Sequence, residues 1–149
     1  MTIIAIAALG MVLTYATAGV VSIQQTNSTI KRELASSGNI ASINVGIYSD
    51  YACSQSVESI NWGDIAPGEE INKIIHLKNT GVTPITLCMT ANNWNPPSAN
   101  GPITLTWDKE AANLNPDEIT TATLTLAVSE DITDVTTFSV MILITGLAK

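Results

Sequence analysis

Charge is the scarcest feature at the start of this sequence. None of the first thirty residues is Asp, Glu, Lys, Arg or His, and the uncharged run ends at Lys31, Arg32 and Glu33. Basic residues are few throughout, six against thirteen acidic. The 149-residue chain therefore carries a formal charge of −7 and lacks the positive surface that nucleic acid or anionic lipid would require. Histidine occurs once, at His76, with no Gly-x-Ser-x-Gly turn to accompany it, which argues against the serine–histidine hydrolase arrangement. There is no phosphate-cradling glycine loop, no dinucleotide fingerprint and no Cys/His cluster at metal-ligand spacing. These absences point away from an enzyme and from any cofactor or resident metal. With 46% apolar and 13% charged residues, the chain is too hydrophobic for a disordered protein, and it is long enough for one compact domain with an appendage.

The appendage is the uncharged head. From Met1 to Ile23 the polar side chains are Thr2, Thr14, Tyr15, Thr17 and Ser22, whose hydroxyls can bond back to helix carbonyls one turn earlier. As a helix this stretch would be roughly 35 Å long, enough to span a bilayer core. Three readings compete for it. A signal peptide fits Ala16-Thr17-Ala18 before Gly19 but lacks a basic start. In a permanent anchor, Lys31 and Arg32 would hold the remainder in the cytoplasm. The third reading is a mature segment whose basic leader has already been removed.

Outside a membrane, a helix apolar on all sides is ordered by copies of itself, and Gly10, Thr14 and Ala18 place small residues on one face. Ile3, Ile4, Ile6, Leu9, Gly10, Leu13, Thr14 and Ala18 are the residues expected to pack in such a core. From Gln24 to Leu34 no Pro or Gly interrupts the chain, so the helix could run on until Ser36-Ser37-Gly38, which gives an assembly helix and stalk over 1–37 and a second domain over 38–149.

After Gly38 the pattern becomes alternation, as in Ile43, Val45 and Ile47 or Leu124, Leu126 and Val128. About seven strands are expected, near 40–48, 56–62, 71–79, 83–92, 102–107, 121–129 and 136–146. Turn-forming pieces such as Ala66-Pro67-Gly68-Glu69 and Asn79-Thr80-Gly81 separate them. The expected class is α+β: the long hydrophobic helix followed by an immunoglobulin-like sandwich. In the last strand Phe138, Val140, Ile142 and Ile144 interleave with Met141 and Leu143, so it should be central and covered on both faces, by the stalk or by a neighbouring subunit.

Cys53 and Cys88 are the only cysteines. A bridge between them would close a loop of about 36 residues, worth about 3 kcal/mol, and the alternative is two buried thiols. Asn27-Ser28-Thr29 is a glycosylation sequon at Asn27, although a helix interior is a poor acceptor. The acidic turns Glu69-Glu70, Asp117-Glu118 and Glu130-Asp131-Asp134 lack the spacing of a calcium loop and read as solvated surface.

The head MTIIAIAALGMVLTYATAGVVSIQQ ahead of a β-rich body resembles the archaeal type IV pilin and archaellin superfamily, while Ile60-Asn61-Trp62-Gly63-Asp64-Ile65-Ala66-Pro67-Gly68, Leu77-Lys78-Asn79-Thr80-Gly81 and Pro84-Ile85-Thr86-Leu87 look like the β-sandwich modules common in secreted archaeal surface proteins. Bacterial pilins usually carry a glutamate near the mature start, where this chain has Ala5 and no acid, as archaeal members commonly do. The resemblance implies a homo-oligomeric extracellular filament for adhesion or motility. It also implies a membrane-inserted subunit before assembly, an assembly ATPase with its platform, and no nucleic-acid partner. Two other functions compete with it. One is a membrane-anchored binding module using Trp62, Trp94 and the loop over 92–102. The other is a filament in which an extended N-terminal strand completes a neighbour's sheet.

Overall fold

The structure, a computed structural model of the chain, describes residues 34–149. The expected helix over Met1–Ile23, its packing residues Ile3 to Ala18 and the sequon at Asn27 lie outside the described residues.

Nine strands make up the described chain: β1 (Leu34–Ile43), β2 (Val45–Tyr48), β3 (Ser59–Ile65), β4 (Glu70–Asn79), β5 (Ile85–Asn95), β6 (Ile103–Trp107), β7 (Asn113–Leu114), β8 (Ile119–Val128) and β9 (Thr137–Ala148). A single 3-10 turn over Pro97–Ala99 is the helical element among the described residues. One sheet has the order β3-β1-β9-β5-β7 and the other β2-β4-β8-β6.

Alternating side chains from both sheets meet in one core. Leu34, Trp62, Leu87, Ile142 and Ile144 come from the first sheet, and Ile47, Leu77, Leu124 and Leu126 from the second. The period of two that marks these strands in the sequence is what puts Leu124, Leu126 and Val128 on the inner face, while Thr123, Thr125 and Ala127 point outward half-buried.

Three expectations are corrected. First, the described residues are all-β rather than α+β. The stalk predicted to run to residue 37 is replaced from Leu34 by strand β1. Ser36, Ser37, Gly38 and Asn39 are weak helix formers, and pairing with β3 on one side and β9 on the other outweighs the lack of a Pro or Gly break before them.

Second, the sandwich is not wound like an immunoglobulin domain, in which several consecutive strands share a sheet. Here each successive strand lies in the opposite sheet from the one before it, so every connection crosses between layers, as in a rolled sandwich.

Third, the strand expected over 40–48 is two strands. Asn44 takes a left-handed φ of 63° and turns the chain from one sheet into the other. Asn tolerates that conformation better than most residues because its short side chain bonds locally, and here Nδ2 donates to the Gly146 carbonyl at 3.2 Å.

Two turns follow the sequence closely. In Ala66-Pro67-Gly68-Glu69 the Gly68 φ of 85° supplies the conformation that a proline-led turn needs after its second residue, and the Glu69 amide donates to the Ala66 carbonyl at 3.1 Å. At the end of β4, Asn79 is fully buried. Its Nδ2 donates to the carbonyls of Thr83 at 2.8 Å and Leu114 at 3.1 Å, and its Oδ1 accepts from the Gly81 amide at 2.9 Å.

Candidate assembly surface

β9 lies third of five strands in its sheet, flanked by β1 in parallel and β5 antiparallel. Its even-numbered residues from Phe138 to Ile144 are buried in the core, and its outward residues Met141 and Leu143 remain half-exposed. The register carries this outward face across the sheet, with Met141 between Asn39 of β1 and Asn92 of β5, Leu143 beside Thr90 and Thr145 beside Cys88. Leu147, 55% exposed, extends the apolar line toward the C-terminal end.

The outward positions of β1, β9 and β5 carry Ser, Thr, Asn, Cys, Met and Leu but no charged residue. Charge appears at the rim, with Asp64 on β3 and Glu110 beside β5. On the opposite sheet, by contrast, β4 turns Glu70, His76 and Lys78 outward, and Lys78 pairs with Asp117 at 3.3 Å. In a protein of charge −7, one face free of charge is an unusual distribution and the sort of surface another protein covers.

At one end of this face a recess of about 540 Å³ is lined by Ser37, Ser59, Asn61, Asn95, Thr137 and Ser139 together with Ser36, Ile60 and Phe138. Both flanking ladders are irregular there. The β1–β3 register shifts between Ser36 and Ser37, and the β9–β5 register shifts between Ser139 and Met141. Ser36 Oγ donates to the Gly63 carbonyl at 3.0 Å. The recess holds hydroxyl and amide groups and no titratable side chain, so it supplies hydrogen bonds rather than acid–base chemistry.

The other residues singled out by sequence are dispersed. Cys53 sits in the loop between β2 and β3 and Cys88 on β5, and both are free thiols, so the expected bridge is not formed. Cys88 instead faces Glu110. The hydrogen bond to that carboxylate, with burial and the negative charge, raises its thiol pKa. Glu110 accepts from Trp107 Nε1 at 2.8 Å, which is the main reason its carboxyl lies below the usual range. This cluster was invisible in the sequence because Cys88 and Glu110 come together only through the β5–β6–β7 crossing.

Trp62 is core, 2% exposed, and Trp94 stacks at a tilt on Phe138 with centroids 6.1 Å apart. The two therefore do not form the outward patch weighed for a binding module. His76 faces outward on β4, with Nδ1 3.1 Å from Thr121 Oγ1 and its ring edge-on to Tyr51. Asp50 organises the tip of the β2–β3 loop. Partial burial pushes its carboxyl up, but hydrogen bonds from the Ser54 and Gln55 amides at 3.0 and 2.8 Å outweigh this and hold it below its ordinary value. Among the described residues no group of three or more His, Cys, Asp and Glu is placed to hold a metal, and no helix is long and apolar enough to cross a membrane.

Fold and surface together define a two-sheet β domain with an uncharged outer face. The chain matches no protein-family model and no curated protein.

Proposed function

We propose that the chain is a structural subunit of an extracellular helical filament built from copies of itself, serving attachment to surfaces. The observation that carries this reading is the outer face of the adjacent strands β1, β9 and β5, whose outward positions carry no charge, with Met141, Leu143 and Leu147 along β9. A face of this kind is stable in water when a neighbour covers it, and the absence of charge means that covering it strands no desolvated ion. The thirty residues ahead of Lys31 are likewise without charge. The remaining acidic surface would face outward, keeping polymers apart from one another.

The test is negative-stain microscopy of appendages sheared from cells that make the protein, with the chain identified in the purified material. Filaments containing the chain are expected, and a cell surface bearing the protein without filaments would overturn the reading. Loss of attachment on deletion supports the adhesive role, whereas loss of swimming would move the subunit to a motility filament. The polar recess beside Ser37, Asn61 and Ser139 favours a second reading, a membrane-anchored binding module. A monomer that needs detergent to stay in solution would support that alternative.

A further inference from the structure

β1 and β9 form the one parallel strand pair among the described residues, from Ala35 beside Thr137 to Ile43 beside Thr145. On its other side it runs antiparallel to β3, from Leu34 beside Ile65 to Asn39 beside Ser59. β3 and β9 are therefore antiparallel to each other, with β1 lying between them. Withdrawing β1 would leave two facing rows of unpaired backbone N–H and C=O groups, a slot the width of one strand.

The side chains of β1 contribute little apolar bulk to that slot, because the core packs up to its backbone. Leu34 and Ile40 are buried apolar anchors, but the inward positions between them are Ser36 and Gly38. Gly38 lies against the core: a methyl there would meet Trp62 Nε1 at 3.2 Å and Ile142 Cδ1 at 3.4 Å. Trp62 Nε1 is buried and has no hydrogen-bond partner. An indole N–H turned toward a glycine, in a core otherwise packed with Leu and Ile, is an unsatisfied donor at the seat of this strand. What holds β1 is mainly its backbone ladder, and an identical strand from a second copy supplies the same ladder in the same register.

The link to the rest of the chain favours such an exchange. A single residue, Asn44 at φ 63°, joins β1 to β2 in the opposite sheet. A one-residue connection with a left-handed backbone turns the strand out of line with the next one, and short hinges of this kind promote domain swapping. With Asn44 extended, β1 and β2 would continue in line, and the ten residues of β1 would reach roughly 33 Å beyond their own domain.

We propose that β1 of one copy occupies the slot between β3 and β9 of the next, so that each subunit gives one strand and receives one. The open, head-to-tail form of this exchange rests on the filament reading above, while the exchange itself does not.

The test uses the full chain as purified from the cell surface, with Cys53 and Cys88 replaced by serine and either of two new cysteine pairs added. Ser37→Cys with Asn61→Cys and, separately, Asn39→Cys with Ser59→Cys place exposed outward residues directly opposite each other in the β1–β3 ladder. Opposed antiparallel positions lie within bridging distance. After oxidation, a non-reducing denaturing gel should show a ladder of two, three and more copies with either pair, collapsing to single chains on reduction. Internally bridged single chains alone, or no bridge with either pair, would overturn the exchange. Microscopy of the same samples separates the two proposals. Filaments of internally bridged chains would sink the exchange and keep the filament. Bridged copies that stop at dimers would keep the exchange and sink the filament.

Discussion

Gly146 lies near the end of β9 at the corner where Asn44 carries the chain between sheets, and replacing it with alanine overfills that corner. The new methyl would sit 2.5 Å from Ile85 Cδ1, 2.9 Å from Val45 Cγ2 and 3.3 Å from Ile85 Cβ. Carbon atoms in good contact are about 3.5–4.0 Å apart, so Ile85 and Val45 must both shift, and Ile85 is 2% exposed with no space outside the core. Overpacking of this kind costs about 1–3 kcal/mol. For a domain of this size that is a drop in Tm of roughly 4–12 °C.

The geometry also names its own rescue. Ile85→Val removes Cδ1, the nearest atom, and by itself costs about 0.5–1.5 kcal/mol. In the Ile85→Val background, Gly146→Ala should therefore cost about half of what it costs in the native chain, a coupling of at least about 0.5 kcal/mol, with Val45 keeping the relief partial. Urea unfolding of the four proteins of the cycle, followed by tryptophan fluorescence, measures this coupling. If the two substitutions prove additive, or if Gly146→Ala alone is neutral, the packing assigned to this corner is wrong.

Asn79→Ala would leave the Thr83 and Leu114 carbonyls and the Gly81 amide without their partner, and a loss of about 2–4 kcal/mol in urea unfolding is expected. In alkylation with iodoacetamide at about pH 8, Cys88 should react more slowly than Cys53, because the Glu110 carboxylate beside it raises its pKa; Glu110→Gln should narrow the gap. Glu110 itself has a lowered carboxyl pKa, so its contribution to stability is fully present above the ordinary value of 4.5 and is lost as pH falls through the depressed one. Acid titration of native and Glu110→Gln proteins should therefore show curves that converge below that value and run parallel through neutral pH.

The strands were legible wherever apolar and polar residues alternate across a half-buried sheet. Leu124-Thr125-Leu126-Ala127-Val128 and Ile103-Thr104-Leu105-Thr106-Trp107 read directly as strands, and the turn at Pro67-Gly68 was marked by its residues. β1 was not legible as a whole. Leu34-Ala-Ser-Ser-Gly-Asn-Ile has no hydrophobic alternation to report, because the pairing that makes it a strand comes from β9, about a hundred residues away in sequence. The two-residue β7 was missed for the same reason, since Asn113–Leu114 pairs with Ile85 and Thr86 through backbone contacts that leave no pattern. Of the candidate surface, Met141 and Leu143 were visible as apolar residues out of phase with their strand. The absence of charge around them was not visible, because it depends on which strands become neighbours.

The uncharged face and the strand with little apolar bulk of its own occupy the same sheet, and this bears on how a subunit of this kind would behave. An uncharged sheet face with Met and Leu along its central strand invites association, and so does an edge left open by a departing strand. Here the two are separated by β1. While β1 sits between β3 and β9 the sheet has no gap, its backbone groups are paired, and the domain can fold by itself on the core formed by Leu77, Leu87, Leu124 and Ile142. Had the inward face of β1 been Leu or Val throughout, that closed state would be too stable to give up. Had it carried charges, the strand would not enter the core at all. Ser36 and Gly38 lie between these limits: they let the strand seat while adding little apolar bulk, and they leave the Trp62 indole unsatisfied, which is the balance the proposed exchange requires. Small residues at the centre of a buried strand, which lower the stability of an isolated domain, are what a subunit needs if it must fold first and join its neighbours afterwards.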